Sequence, residues 1–345
     1  MPPNFATKLA LDFPCGDFVF LSANALYREL PEPNHQIIQK CHIYCITEIP
    51  KATIDPHSLK FVEVDSNEGK KISLSLDVIY RIDGQERKFE LRPKEGELLD
   101  LFEKEKIVRV SNYPHLSLDI VTDDNQVSRS INAHEICFFF QVQDFIEYKI
   151  LYIGQAFGSE EGNRSAFDRV VKHETLQRVL ADCNVTRPDK TILIGMFEFG
   201  DAKVITFADG EDKTAIGGME DIKRTLKAMN HKISKKQQIS IIEAALIRYF
   251  QPEYNDRLKN DLPAKNTKTL AGCYSYDFNS IGVAFFTEFD ATGLKIFTYT
   301  DTIEKNWMHT INIELHDIEE RKSFFMIGDQ NFEPLGTIRH NKKKK

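Results

Sequence analysis

The segment Gln237–Phe250 limits the fold of this chain more tightly than any other. Ile239, Ile242, Leu246, Ile247 and Phe250 recur at helical spacing, and Pro252 stops the helix. The helix is very apolar, yet Glu243 sits in its middle, inside Ile241-Ile242-Glu243-Ala244-Ala245-Leu246-Ile247. A carboxylate there is costly to bury without a cation or a hydrogen-bond partner. The fold therefore has to cover this helix and give Glu243 something to do.

Composition shows what can surround it. The chain has 345 residues, 41% of them apolar, enough to fill one or more cores. At about 150 residues per domain this predicts two or three domains. No run approaches the roughly 18 to 20 apolar residues of a membrane helix. Met1-Pro2-Pro3-Asn4 lacks the basic start and long apolar segment of a secretory signal. A cytoplasmic α+β protein with no membrane contact is expected. Net charge is −7, so contact with a polyanion has to come from a local patch. The six cysteines are scattered; Cys41 and Cys45 form the only close pair, with no second pair at zinc-ligand spacing, and are expected to be buried free thiols.

Along the chain, residues 1–133 read as a β-rich domain. Phe18–Leu21, Ile43–Ile46, Ile72–Val78 and Arg87–Leu91 are strand-like, Asp83-Gly84 is a hairpin turn, and Gly96–Glu105 is helical. Residues 134–262 differ in texture. Ile136–Val142 and Tyr148–Gly154 are expected as an antiparallel hairpin, followed by a loop at Gly158–Ser165, a helix over Ala166–Ala181 and a strand over Thr191–Phe199. An inserted hairpin at Lys203–Gly210 and a polar helix over Met219–Met229 precede the Glu243 helix. Residues 263–338 return to strands, with Asp290–Gly293 as a hairpin turn between Gly282–Phe289 and Leu294–Thr300 and a strand over His309–His316; residues 339–345 are a basic tail.

Within 134–262 several polar residues stand where an apolar framework would not require them. Tyr152 ends a strand in Tyr152-Ile153-Gly154. Arg169 and His173 are four apart on a helix and share a face. Glu243 is followed by Asn255 in Gln251-Pro252-Glu253-Tyr254-Asn255. At these residues the chain resembles the GIY-YIG nuclease superfamily over roughly 134–258, and the Arg169-x-x-x-His173 spacing is similar to its restriction-enzyme branch. The resemblance implies a GIY-YIG-like core, a small antiparallel sheet flanked by helices, between two β-rich flanking regions. The first motif of that family carries a tyrosine a short hairpin's length before Tyr152. Cys137-Phe138-Phe139-Phe140-Gln141 stands there instead, with no phenol; Tyr148 is the nearest one.

What the resemblance implies is metal-dependent hydrolysis of phosphodiesters. Glu243 holds Mg²⁺ or Mn²⁺ through a hard oxygen, Arg169 bonds the phosphate, Tyr152 or His173 handles the attacking water, and Asn255 ties the chain after the helix to the site. The partner is nucleic acid, DNA ahead of RNA, in restriction, phage defence or mobile-element biology. Lys172, Lys227 and Lys232, in a basic stretch with Lys223, Arg224, Lys235 and Lys236, are the candidate phosphate contacts. The β-rich flanks could carry a protein partner or a homodimer contact. Taken singly, each residue has a plainer role: a packing tyrosine, a solvated helix face, a cap asparagine. Two alternatives follow. One is a catalytically inactive module that keeps the fold; the other is an unrelated enzyme acting on a small phosphorylated compound in a deep pocket.

Overall fold

The computed structural model describes residues 4–27, 32–66, 69–92, 107–122, 124–156, 167, 174–208, 210, 212–230, 233–256, 259, 270–290, 292–316, 324, 326–327, 330–331 and 336–339. The expected helix at Gly96–Glu105, the loop at Gly158–Ser165 and the terminal lysines lie outside them. The protein is mixed α+β, and its centre is one curled nine-stranded sheet. Its strands are β1 (Thr7–Ser22), β2 (Ile43–Pro50), β3 (Glu147–Gln155), β4 (Lys190–Phe199), β5 (Lys203–Ala208), β6 (Ser280–Phe286), β7 (Phe297–Tyr299), β8 (Met308–Glu314) and β9 (Thr337–Ile338). They run in the order β7-β3-β2-β4-β1-β6-β8-β9, with β5 beside the first half of β1.

This strand order overturns the expected division at 133/134 and 262/263. The sheet draws β1 and β2 from the first region, β3 to β5 from the second and β6 to β9 from the third. The apolar runs explain why. Every residue of β2 is buried, and a strand covered on both faces must sit inside a sheet rather than at the rim of a separate domain. β2 lies between β3 and β4, antiparallel to both.

The first helix is α1 (Glu32–Lys40), and the expected strand at Ile136–Val142 is the second, α2 (Ala133–Phe139). Asn132 caps it and Glu135, three residues on, reaches back to the Asn132 N–H at 2.8 Å. Ala133, Ile136 and Cys137 are buried while Phe139 is half exposed, a helical rather than an alternating pattern. No 136–142/148–154 hairpin therefore exists; the antiparallel partner of the Tyr152 strand is β2.

Between β2 and β3 the described residues of 51–146 form an elaboration. It holds a four-stranded sheet (Ala52–Ile54, Lys60–Ser66, Gly69–Ile82, Gln85–Leu91) and a three-stranded one (Ile107–Val110, Ser117–Val121, Val127–Asn132). The Asp83-Gly84 turn is present, with positive φ at both residues. Leu74, Leu76, Val78, Leu118, Ile120 and Phe145 make a core that continues onto Ile49, Tyr148 and Leu193 of the central sheet.

The two faces of the central sheet are covered by different helices. Ile43 and Cys45 of β2 join Ile153 and Phe197 against α5 (Lys235–Phe250). Tyr44 and Ile46, pointing the other way by the two-residue strand period, join Leu151, Ile194 and Met196 against α3 (Glu174–Thr186). Ser234 caps α5 with Gln237 completing the box. Pro252 ends it after Gln251, which takes the left-handed conformation (φ 52°, ψ 48°). α4 (Met219–Met229) lies where the sequence predicts it. The 203–210 segment supplies a single strand, β5, paired antiparallel with β1 instead of a local hairpin. Lys203, Ile205, Thr206 and Ala208 are exposed, as on an edge strand. All six cysteines are free, and five are buried. Among the described residues no helix is long and apolar enough to cross a membrane.

Candidate active site

The site forms where β2 and β3 run side by side. Their register pairs Tyr152 with Ile46, Ile153 with Cys45 and Gly154 with Tyr44. Tyr44 and Tyr152 thus approach from adjacent strands, with ring centroids 6.0 Å apart and planes tilted by 38°. Tyr44, in His42-Ile43-Tyr44, is thus the phenol that stands beside Tyr152 on the neighbouring strand. Tyr148 lies elsewhere. It is 4% exposed in the core beneath the elaboration, edge-on to Phe20, and burial drives its hydroxyl far above the ordinary range.

Gly154 makes the approach of the two rings possible. A Cβ there would come within 2.6 Å of both Cζ and Oη of Tyr44 and within 2.8 Å of the Tyr152 ring. The residue is glycine because a ring crosses its backbone, not because its φ is unusual. Tyr44 is fully buried and Tyr152 half-buried.

Asn255 holds the strand from behind. Its Oδ1 accepts from the Ile153 N–H and its Nδ2 donates to the Ile153 carbonyl, both at 2.9 Å. Tyr254, one residue earlier, donates its backbone N–H to the Leu151 carbonyl at 2.9 Å. The chain leaving α5 therefore docks on β3 as an extra pairing partner, and Asn255 is buried and doubly satisfied.

Glu243 is half-buried on α5, one turn after Ser240 on the same face. Ser240 Oγ donates to Gln155 Oε1 at 3.4 Å, and Gln155 directly follows Gly154. That face of the helix borders the end of the Tyr152-Ile153-Gly154 segment. Among the described residues no group of three His, Cys, Asp or Glu side chains could hold a metal ion.

His42, at the start of β2, was not singled out in the sequence. Its Nδ1 lies 3.1 Å from the Ala156 carbonyl, which can only accept, so the proton is on Nδ1 and Nε2 carries the lone pair. Burial lowers its pKa below the ordinary imidazole value, partly offset by the Ala156 bond, so the ring is neutral at pH 7. The signal for both His42 and Tyr44 was a short apolar strand with no local hairpin partner.

Arg169, His173, Lys172 and Lys232 lie outside the described residues. Of the remaining basic stretch, Arg224 is committed to Asp221 and Asp277, each at 2.9 Å, and Lys235 bonds the Phe199 carbonyl at 3.1 Å. Lys223, Lys227 and Lys236 are exposed. A cavity of roughly 330 Å³ bounded by Phe20, Phe138, Tyr148 and Phe289 takes no lining from α5, Tyr44 or Tyr152. No family model, curated protein or solved structure matches the chain.

Proposed function

We propose that the protein is a metal-dependent nuclease whose centre is GIY-YIG-like, with its first motif displaced upstream by the elaboration at 51–146. The observation that carries this reading is the pairing of Tyr44 with Gly154, which sets two tyrosines side by side on adjacent antiparallel strands. Asn255, bonded to both backbone groups of Ile153, supports it by tying the end of the Glu243 helix to the second motif.

In this reading Glu243 holds a divalent cation, Mg²⁺ or Mn²⁺. When bound, that ion supplies Lewis-acid polarisation of a phosphoryl oxygen. The chain's own groups position the ester. Arg169, assigned from the resemblance, forms charge-assisted bonds to phosphate oxygens. A tyrosine phenol or an imidazole orients and deprotonates the attacking water. The ordinary pKa of a phenol is near 10, so a neutral imidazole, His42 or His173, is the easier base at neutral pH.

The test is cleavage of plasmid, linear DNA and RNA with and without Mg²⁺, comparing the wild type with Glu243→Gln. Nicking that needs the ion and is lost in the variant, with unchanged circular dichroism, is expected. Equal nicking by both proteins overturns the reading. One observation favours a second reading, an inactive module with the same fold: Tyr44 is fully buried, as a purely packing residue would be. Wild-type protein without cleavage, in the presence of nucleic-acid binding, selects that reading.

A further inference from the structure

The cavity of about 330 Å³ lies in the seam between the central sheet and the elaboration that follows β2. β1, β3 and β4 give it Phe20, Tyr148 and Leu193, the Val127–Asn132 strand gives Arg129, and α2 gives Glu135 and Phe138. At roughly 30 Å³ per water it has room for about eleven waters, which suits a guest of about a dozen non-hydrogen atoms or slightly more. That is the small end of ligand pockets. A single large amino acid fills such a space, and a nucleotide, about twice that size, exceeds it.

Its lining is aromatic with one polar point at depth. Phe20 stands edge-on to Tyr148 at 4.8 Å, and Phe138 edge-on to Phe289 at 5.8 Å, so ring faces and edges are presented to a guest ring. The Tyr148 hydroxyl has no described hydrogen-bond partner, although the residue is 4% exposed. A buried hydroxyl left unmatched is costly, and this one borders the cavity, where an atom of a guest can meet it.

The charges on the lining are balanced. Among the described residues that border the cavity, Arg129 alone is cationic and Glu135 alone anionic at pH 7. Burial holds the imidazole of His134, also on the lining, below its ordinary pKa, so it adds no charge there. Arg129 is exposed, at the mouth, and shares a strand face with buried Ile131, which also borders the cavity. It has no described ion pair or hydrogen bond. Glu135 has no described ion pair either; its Oε2 accepts from the Asn132 N–H at 2.8 Å, which fixes the carboxylate and leaves Oε1 for a guest.

We propose that this cavity binds one free aromatic α-amino acid, tyrosine fitting it best. The carboxylate of the guest meets Arg129, its ammonium meets Glu135, its ring packs among Phe20, Phe138 and Phe289, and its phenol bonds the Tyr148 hydroxyl. A zwitterion matches both charges. An aromatic acid without the amine leaves Glu135 unmatched beside a second anion, and an aromatic amine leaves Arg129 unmatched. The guest touches both the sheet and the elaboration, so its binding stabilises the folded chain. This site goes beyond the nuclease reading and shares none of its residues.

Titration calorimetry and thermal melts of the full chain with L-tyrosine test it. One-to-one binding with a dissociation constant below about 0.1 mM is expected, together with a rise in Tm. Tyramine, which lacks the carboxylate, and hydroxyphenylpropionate, which lacks the ammonium, should each bind at least about tenfold more weakly. Phenylalanine should also be weaker by about tenfold, for want of the phenol. Arg129→Met should erase the advantage of tyrosine over tyramine. Glu135→Gln should erase its advantage over hydroxyphenylpropionate, and glutamine at that position keeps the bond to the Asn132 N–H, so α2 stays capped. Tyr148→Phe should bring tyrosine down to the affinity of phenylalanine. The proposal is overturned if about 1 mM tyrosine, phenylalanine or tryptophan gives neither heat nor a shift in Tm. Equal affinity for tyrosine, tyramine and hydroxyphenylpropionate overturns it too, as does tighter binding of uridine monophosphate.

Discussion

The ring of Tyr44 lies across the backbone of Gly154, so close that an added methyl group would meet Cζ and Oη at 2.6 Å. The two residues are also register partners on β2 and β3. One glycine thus permits both the strand pairing and the packing of Tyr44 beside Tyr152. Gly154→Ala is expected to destabilise the protein by about 1–3 kcal/mol, the usual cost of overpacking a filled core. In a Tyr44→Leu background the same change should cost less, by about 1 kcal/mol or more, because its obstacle has gone. Urea unfolding midpoints of the four proteins close the cycle; additive effects would show that the ring does not set the constraint.

Asn255 makes the second prediction. Its side chain satisfies both the N–H and the C=O of Ile153 in the middle of a buried strand. Asn255→Ala leaves both backbone groups without that partner, at about 1–3 kcal/mol for each group left buried. Asn255→Asp keeps the acceptor but presents an oxygen to the Ile153 carbonyl, so it should be no better than alanine. Amide hydrogen exchange at Ile153 is the direct readout, and it should quicken in both variants. Unchanged protection there would mean that β2 alone holds the strand.

These two contacts show how far the sequence carries. α5 and α4 were legible because Ile239, Ile242 and Leu246, or Met219 to Met229, span enough turns for the helical period to declare itself. Tyr152, Glu243 and Asn255 were legible as polar residues in apolar or turn surroundings. Ile136–Val142 reads as a strand because its five-residue apolar run, Ile136–Phe140, fits either period; the Asn132/Glu135 capping box is the deciding signal. Tyr44 escaped for a different reason. Its partner Gly154 lies beyond the whole of 51–146, and no local periodicity reports which distant strand a strand will choose.

His309 predicts a pH dependence. It is 2% exposed, ringed by Tyr249, Phe250 and Phe285, with Nε2 3.1 Å from the Thr298 carbonyl and 2.9 Å from the Asn306 carbonyl. Both carbonyls accept, so Nε2 carries the proton and Nδ1 accepts from the Tyr249 hydroxyl at 3.2 Å. Burial holds the pKa down at about 4 despite those carbonyl bonds, against an ordinary value of 6.5. Between these values the unfolded chain binds the proton and the folded one does not. Stability is therefore present above about 6.5 and is lost as pH falls towards 4, on the order of 3 kcal/mol in all. Denaturant unfolding at pH 7 and pH 4.5 should show this slope, and His309→Phe should flatten it whatever its baseline cost. An equal slope in the variant would assign the acid sensitivity to other groups.

The last prediction concerns Glu48, the acidic residue of the fully buried strand β2. Its Oε2 lies 3.0 Å from Arg187 Nη1, and Arg187 also reaches Glu253 at 3.4 Å and the Tyr254 hydroxyl at 3.0 Å. Burial raises the Glu48 pKa above the ordinary carboxyl value, and Arg187 pulls it back only in part. The folded protein thus binds this proton more tightly than the unfolded chain, so stability falls as pH rises through the window above 4.5. Removing the guanidinium should widen that window. Arg187→Met is expected to cost about 2–4 kcal/mol at pH 7, near the range for breaking a buried pair and reduced by the partial exposure of Arg187. The loss should shrink as pH falls, because a protonated Glu48 needs no cation. Glu48→Gln in the Arg187→Met background should then recover stability at pH 7, since it removes the charge that Arg187 was there to meet. If the double variant is no more stable than Arg187→Met, the arginine acts through Glu253 and Tyr254, and Glu48 is held by another group.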